Sequence, residues 1–272
     1  MVFEALVNPL SAEKRPWEMF FIGIIYSSIA IVLSLFIFRE YASLVSIFLT
    51  VMASIPIMYA AAKMEEKKDL EINEKKLLIK EHGKALSFFM FLFLGFVISY
   101  AMWYLFLPYE LNNALFKAQL KEMYAVQFNA MTGNAVQTVT IFSNIFFNNI
   151  MVMIVSLAFA FFYGVGAIFI LTWNASVLGA AIGKFAASAA GPYIATVPLA
   201  LGRYLIHGLP EMLAYFMAGL AGSIISIAIT RHDFGSGNFK RIVIDSLDLV
   251  FLAIFVLFAA ALLEVFVTPL LF

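Results

Sequence analysis

The chain has 272 residues, 64% hydrophobic and 12% charged, with zero formal net charge and a mean hydropathy of +0.97. A soluble domain cannot hide that much apolar surface, so the composition points to an integral membrane protein surrounded by membrane lipids. Balanced charge leaves no basic footprint for nucleic acid, and the absence of cysteine removes disulfides, thiolate metal sites and cysteine nucleophiles.

The first apolar run, Trp17 to Phe38, follows Lys14 and Arg15. It is about twice as long as a signal-peptide core and reads as a retained transmembrane helix. Tyr41 to Ala62 is a second span, with Pro56 inside it. Lys63 to Lys84 then carries seven lysines against six acids and reads as a solvated connecting hairpin. Because Lys and Arg mark cytoplasmic loops, this loop and the N-terminus are expected in the cytoplasm, and the C-terminus outside. Residues 1–84 thus form a two-helix membrane hairpin plus a lysine-rich loop, and residues 85–272 a transmembrane core.

Ala85 to Leu107 is the third span. An external segment, 108–144, follows it. There Leu111, Leu115, Ala118 and Glu122 fall at helical spacing, which predicts an amphipathic helix lying on the outer surface. Thr132-Gly133-Asn134 reads as a turn. Ile145 to Trp173 is the fourth span. Between Asn174 and Pro210 the chain is rich in small residues and broken by Gly191-Pro192, Pro198 and Gly208-Leu209-Pro210. This stretch predicts a broken or re-entrant region: a short helix over Ala175–Ala190, an outgoing helix ending near His207, and an incoming one over Glu211–Thr230. Leu247 to Pro269 is the last span. The fold class is therefore all-α: a polytopic transmembrane bundle of about seven spans, or six if 175–206 only re-enters.

Six polar residues interrupt the most apolar half: Asn148, Asn149, Asn174, His207, Glu211 and Glu264. An ionisable side chain at the bilayer centre costs about 2.5–3.5 kcal/mol on insertion scales, so such residues face protein, water or an ion. The inferred topology puts Asn148, Asn149, His207, Glu211 and Glu264 at one depth near the outer face, with Asn174 near the inner end. Two carboxylates, an imidazole and carboxamide oxygens suit a proton or a hard cation, and His207, Glu211 and Glu264 are the metal candidates. The same residues equally suit interhelical hydrogen bonding and helix capping. Gly179 with Gly183, and Ala218 with Gly222, allow close helix packing within the chain or in a homo-oligomer.

Several stretches together carry a family resemblance. They are Ile145-Phe146-Phe147-Asn148-Asn149, Gly164 to Trp173-Asn174 with Gly179, His207-Gly208-Leu209-Pro210-Glu211 followed by Ala214 and Gly219, and Glu264 with Pro269. From about Ala85 onward the chain resembles the stage II sporulation protein M family of integral membrane proteins. It departs at Asn174-Ala175, where the family usually has Asn-Gly. The resemblance implies a membrane-embedded core with a shared polar cluster. In spore formers it implies a scaffold for cell-wall hydrolases, with partners on the outer face and no catalysis of its own.

The expected function is therefore a non-enzymatic scaffold or assembly factor, with a protein partner docking on segment 108–144. The alternative is a transporter or channel with a proton or cation site at His207, Glu211 and Glu264. A zinc hydrolase is disfavoured by the absence of H-E-x-x-H, and a serine hydrolase by the absence of G-x-S-x-G. No cofactor is expected beyond a bound cation.

Overall fold

The computed structural model describes residues 15–72, 75–130, 137–164, 166–231 and 236–271. Every regular element among them is helical. Helix α1 spans Glu18–Ile37 and a short 3-10 turn, Arg39–Tyr41, leads into α2, Ala42–Glu71. Then come α3 (Lys75–Phe106), α4 (Tyr109–Leu115), α5 (Lys117–Ala130), α6 (Gln137–Tyr163), α7 (Ala167–Ser188), α8 (Tyr193–Arg231) and α9 (Gly237–Leu262). A π turn, Leu263–Val267, and α10, Thr268–Leu271, complete the chain as described. Seven of the described helices are long and apolar enough to cross a membrane, so the protein is a multi-pass membrane protein.

The spans alternate in direction. The α2–α3, α6–α7 and α8–α9 connections therefore share one end of the bundle, the lysine-rich end. The α1–α2, α3–α6 and α7–α8 connections share the opposite end. Helix α3 packs on α1 and α7, while α8 packs on α6, α7 and α9.

Glycine sets the closest of these contacts. Gly23 of α1 faces Gly95 of α3, and a Cβ added at Gly23 would lie 2.5 Å from the Leu92 carbonyl oxygen. Ser28 fixes the same pair, meeting Ser99 at 3.0 Å and accepting from the Trp103 indole at 3.1 Å. Gly179 and Gly183 of α7 lie against the Cβ atoms of Tyr100 and Tyr104, where an added Cβ would sit 2.6 Å away in each case. A Cβ at Gly222 of α8 would lie 2.5 Å from the Leu157 carbonyl oxygen of α6. These small-residue faces are thus occupied within the chain.

Three expectations need correction. The run 145–173 is not one span: Gly164, at φ 73°, ends α6, and α7 starts at Ala167. Residues 175–190 do not re-enter. All but Ala189 and Ala190 belong to α7, which ends at Ser188, ahead of Gly191, at φ 144°, and Pro192. Gly208-Leu209-Pro210 does not break the chain either, because α8 runs through both Pro198 and Pro210. Proline's fixed φ suits a helix and each ring deletes only one backbone donor, a loss that packed neighbours tolerate in a membrane.

Segment 108–144 also differs from expectation. Its first part folds back into the bundle instead of lying on the surface. Leu115, Phe116 and Gln119 are fully buried, and Phe116 packs on Tyr104 with ring centroids 5.1 Å apart. Gln119 donates to Ser176 of α7 at 3.1 Å and accepts from Ser43 of α2 at 2.7 Å. The expected turn at Thr132-Gly133-Asn134 lies outside the described residues.

Gly95→Leu is expected to destabilise the protein by about 1–3 kcal/mol through overpacking against α1. Gly83→Ala, where an added Cβ meets nothing within 4 Å, should leave stability unchanged or slightly raised. Thermal unfolding in one detergent compares the two. Equal melting temperatures would refute the α1–α3 contact.

Candidate functional site

The polar residues of the apolar half gather where α6, α8 and the π turn meet. Asn149 of α6 is 7% exposed and donates from Nδ2 to Oε1 of Glu211 at 2.6 Å. The carboxyl groups of Glu211 on α8 and Glu264 on the π turn lie within hydrogen-bonding reach of each other. Tyr215, one turn beyond Glu211, is buried beneath them.

The π turn itself positions Glu264. The backbone N–H of Thr268 bonds to the Leu263 carbonyl, and the Thr268 hydroxyl reaches the same oxygen at 3.2 Å. One residue is thereby inserted into the helical ladder, which rotates Glu264 relative to the α9 face. His207 lies one turn before Glu211 on α8. Its Nδ1 meets Thr268 Oγ1 at 3.2 Å, so it joins the Glu264 segment through Thr268. Arg203, one turn earlier again, holds its guanidinium 5.3 Å from the Phe185 ring centre.

The six sequence candidates therefore separate. Asn149, Glu211, Glu264 and His207 share one locality, and Thr268 completes it. Asn148 is exposed on another face of α6. Asn174 donates to the Ile170 carbonyl of its own helix at 2.8 Å and stands apart. Among the described residues no group of three His, Cys, Asp or Glu side chains has a metal-holding arrangement. Thr268 carries no intrinsic signal, since a hydroxyl four residues after Glu264 is ordinary in a span.

A second polar centre lies at the lysine-rich end, in a stretch expected to be a solvated hairpin. Helices α2 and α3 run past their apolar stretches there, and Glu65, Glu66 and Asp69 are fully buried. His82 of α3, 2% exposed, sits between two of them, with Nδ1 2.7 Å from Glu65 and Nε2 3.1 Å from Asp69. Lys68 bonds Glu65 at 2.6 Å, and Arg231 of α8 bonds Glu66 at 2.7 Å. Asp245 of α9 lies close enough to Asp69 to act on its charge. The hint in the sequence is the i, i+4 spacing of Glu65 and Asp69. It places both on one helix face, opposite the single histidine of that stretch.

This centre stands in the extensions beyond the apolar runs 41–62 and 85–107. The imidazole thus lies between two buried carboxylates, closest to Glu65.

Residues 85–269 match the model of the family described as Stage II sporulation protein M. That is not a known enzyme family. No curated protein and no solved structure matches the chain.

One measurement follows from the geometry. Glu211→Ala strands Asn149 and should cost about 1–3 kcal/mol, whereas Glu211→Gln keeps an acceptor and should cost less. Equal losses in denaturant titrations would show that the Asn149 bond contributes nothing.

Proposed function

The chain belongs to the stage II sporulation protein M family, and on that premise we propose that it is a non-enzymatic membrane scaffold or assembly factor. Its lysine-rich end faces the cytoplasm, as the excess of basic loop residues favours. The opposite end, with α4 and α5, faces outward and receives a protein partner.

One observation carries this reading: the anchoring of α5 through Gln119. The buried carboxamide ties α5 to α2 and α7, while Lys117 and Lys121 remain exposed on its other side and Glu122 is exposed beside them. A charged helix face held in one pose suits docking, because little ordering is left to do when the partner arrives. The test is to place a photo-crosslinker at Lys117 or Lys121 in native membranes. The expected outcome is a discrete protein adduct, lost on Gln119→Ala. Crosslinks to lipid alone would sink the scaffold reading.

A second reading has its own support in the carboxyl pair. Two carboxyl oxygens can share a hydrogen bond only if a proton lies between them. Glu211 and Glu264 come from separate elements, beside a π turn, within spans. That arrangement suits a proton site or a monovalent cation site with transport as its function. Proteoliposome flux of protons or sodium should then vanish in Glu211→Gln. Flux equal to that of empty liposomes in the wild type would exclude transport of either ion.

A further inference from the structure

Two cavities lie in line along α3 and α9, away from both polar centres' main contacts. Both helices start at the lysine-rich end, so they run in the same direction. Near their starts is a chamber of about 350 Å³, walled by Leu78 of α3, by Gly237, Lys240, Arg241 and Asp245 of α9, and by Ile72 after α2. Just beyond it is a groove of about 490 Å³, lined by Leu86, Met90 and Leu94 of α3, Met217 of α8, and Leu252 and Val256 of α9. The first has apolar walls, Ile72, Leu78 and Ile244, and carries the basic pair Lys240 and Arg241 with Asp245. The second is apolar and opens sideways between two spans.

We propose that this cleft binds one anionic phospholipid, with its phosphate against Lys240 and Arg241 and one acyl chain in the groove below. Charge comes first. Arg241 is oriented by the Ile72 carbonyl and by Asp245, whose carboxylate lies 3.7 Å from its Nε. Lys240 adds an exposed ammonium, so two cations face one carboxylate and the chamber is net positive. A basic pocket between spans at the membrane boundary is where an anionic head group is recognised.

Depth is the second argument. From Gly83 to Leu94 the groove follows 12 residues of α3, about 17 Å of helix. That is about half of a ~30 Å hydrocarbon core, the depth of one leaflet. A helix from a second copy would be expected to contact the flanking spans over their whole length, whereas a lipid chain stops at mid-bilayer. The glycines agree with this. An added Cβ at Gly83 or Gly237 meets nothing within 4 Å, so both cavities are open at the level of the backbone.

The experiment uses the full chain, purified and delipidated in detergent. Phosphatidylglycerol, phosphatidylcholine or inorganic phosphate is titrated in, and melting temperature and bound lipid by native mass spectrometry are read. The wild type should bind one phosphatidylglycerol with a saturable rise in melting temperature, phosphatidylcholine should do less, and phosphate should do nothing. Lys240→Gln should weaken phosphatidylglycerol about fivefold and narrow its advantage over phosphatidylcholine. Gly83→Leu, which fills the groove, should weaken both lipids. Lys117→Gln, at the opposite end, should change neither and so separates a site from general basicity. A variant that melts like the wild type without lipid reports on binding alone. Equal binding of the two lipids, an effect of phosphate equal to that of lipid, or a Lys240→Gln protein that keeps the full preference would overturn the proposal.

Discussion

Hydrocarbon offers no hydrogen bonds, so a polar side chain that a span carries inward finds its partner within the protein, on its own helix backbone as Asn174 does or on a neighbouring helix. In this protein those obligations decide where helices touch. Ser28 joins α1 to α3, Gln119 ties α5 to α2 and α7, and Asn149 ties α6 to α8. The apolar surfaces alone would not choose between these neighbours, because lipid tails are as good a solvent as leucine. Specificity comes from the polar pairs, and close approach comes from glycines such as Gly23 and Gly95.

Most of the spans were legible because length and apolarity are properties of the residues themselves. The boundaries inside the apolar half were not. Gly208 and Pro210 look like a turn, yet α8 passes through them, while the real break at Gly164 sits within an unbroken hydrophobic run. Glycine and proline are breakers in water because an exposed backbone has an alternative partner there. Inside a bundle that alternative is missing, so their local meaning weakens. The candidate site was legible as to residue type, since Glu211, Glu264, His207 and Asn149 each stand out against Phe and Leu. That Asn148 turns away while Asn149 turns in depends on the rotation of α6, which has no signal among adjacent asparagines.

Charged residues at the lysine-rich end mislead in the opposite way. Lysine and glutamate in quantity suggest a solvated loop, yet the acids Glu65, Glu66 and Asp69 point inward while Lys63 and Lys67 point out. A helix that outgrows the bilayer keeps its 3.6-residue period, so one face still packs on its neighbour after the apolar stretch has ended. That face buries acids here because basic partners on α3 and α8, His82 and Arg231, meet them.

Helix α8 is 39 residues long, about 58 Å, nearly twice the thickness of the hydrocarbon core. Both of its prolines precede Glu211, so the stretch from Glu211 to Arg231 is uninterrupted. A stiff rod of about 30 Å thus carries the buried carboxyl at one end and the partner of Glu66 at the other. A tilt of that rod cannot displace one of these groups without moving the other. The two polar centres, far apart along the bundle, are mechanically a single part.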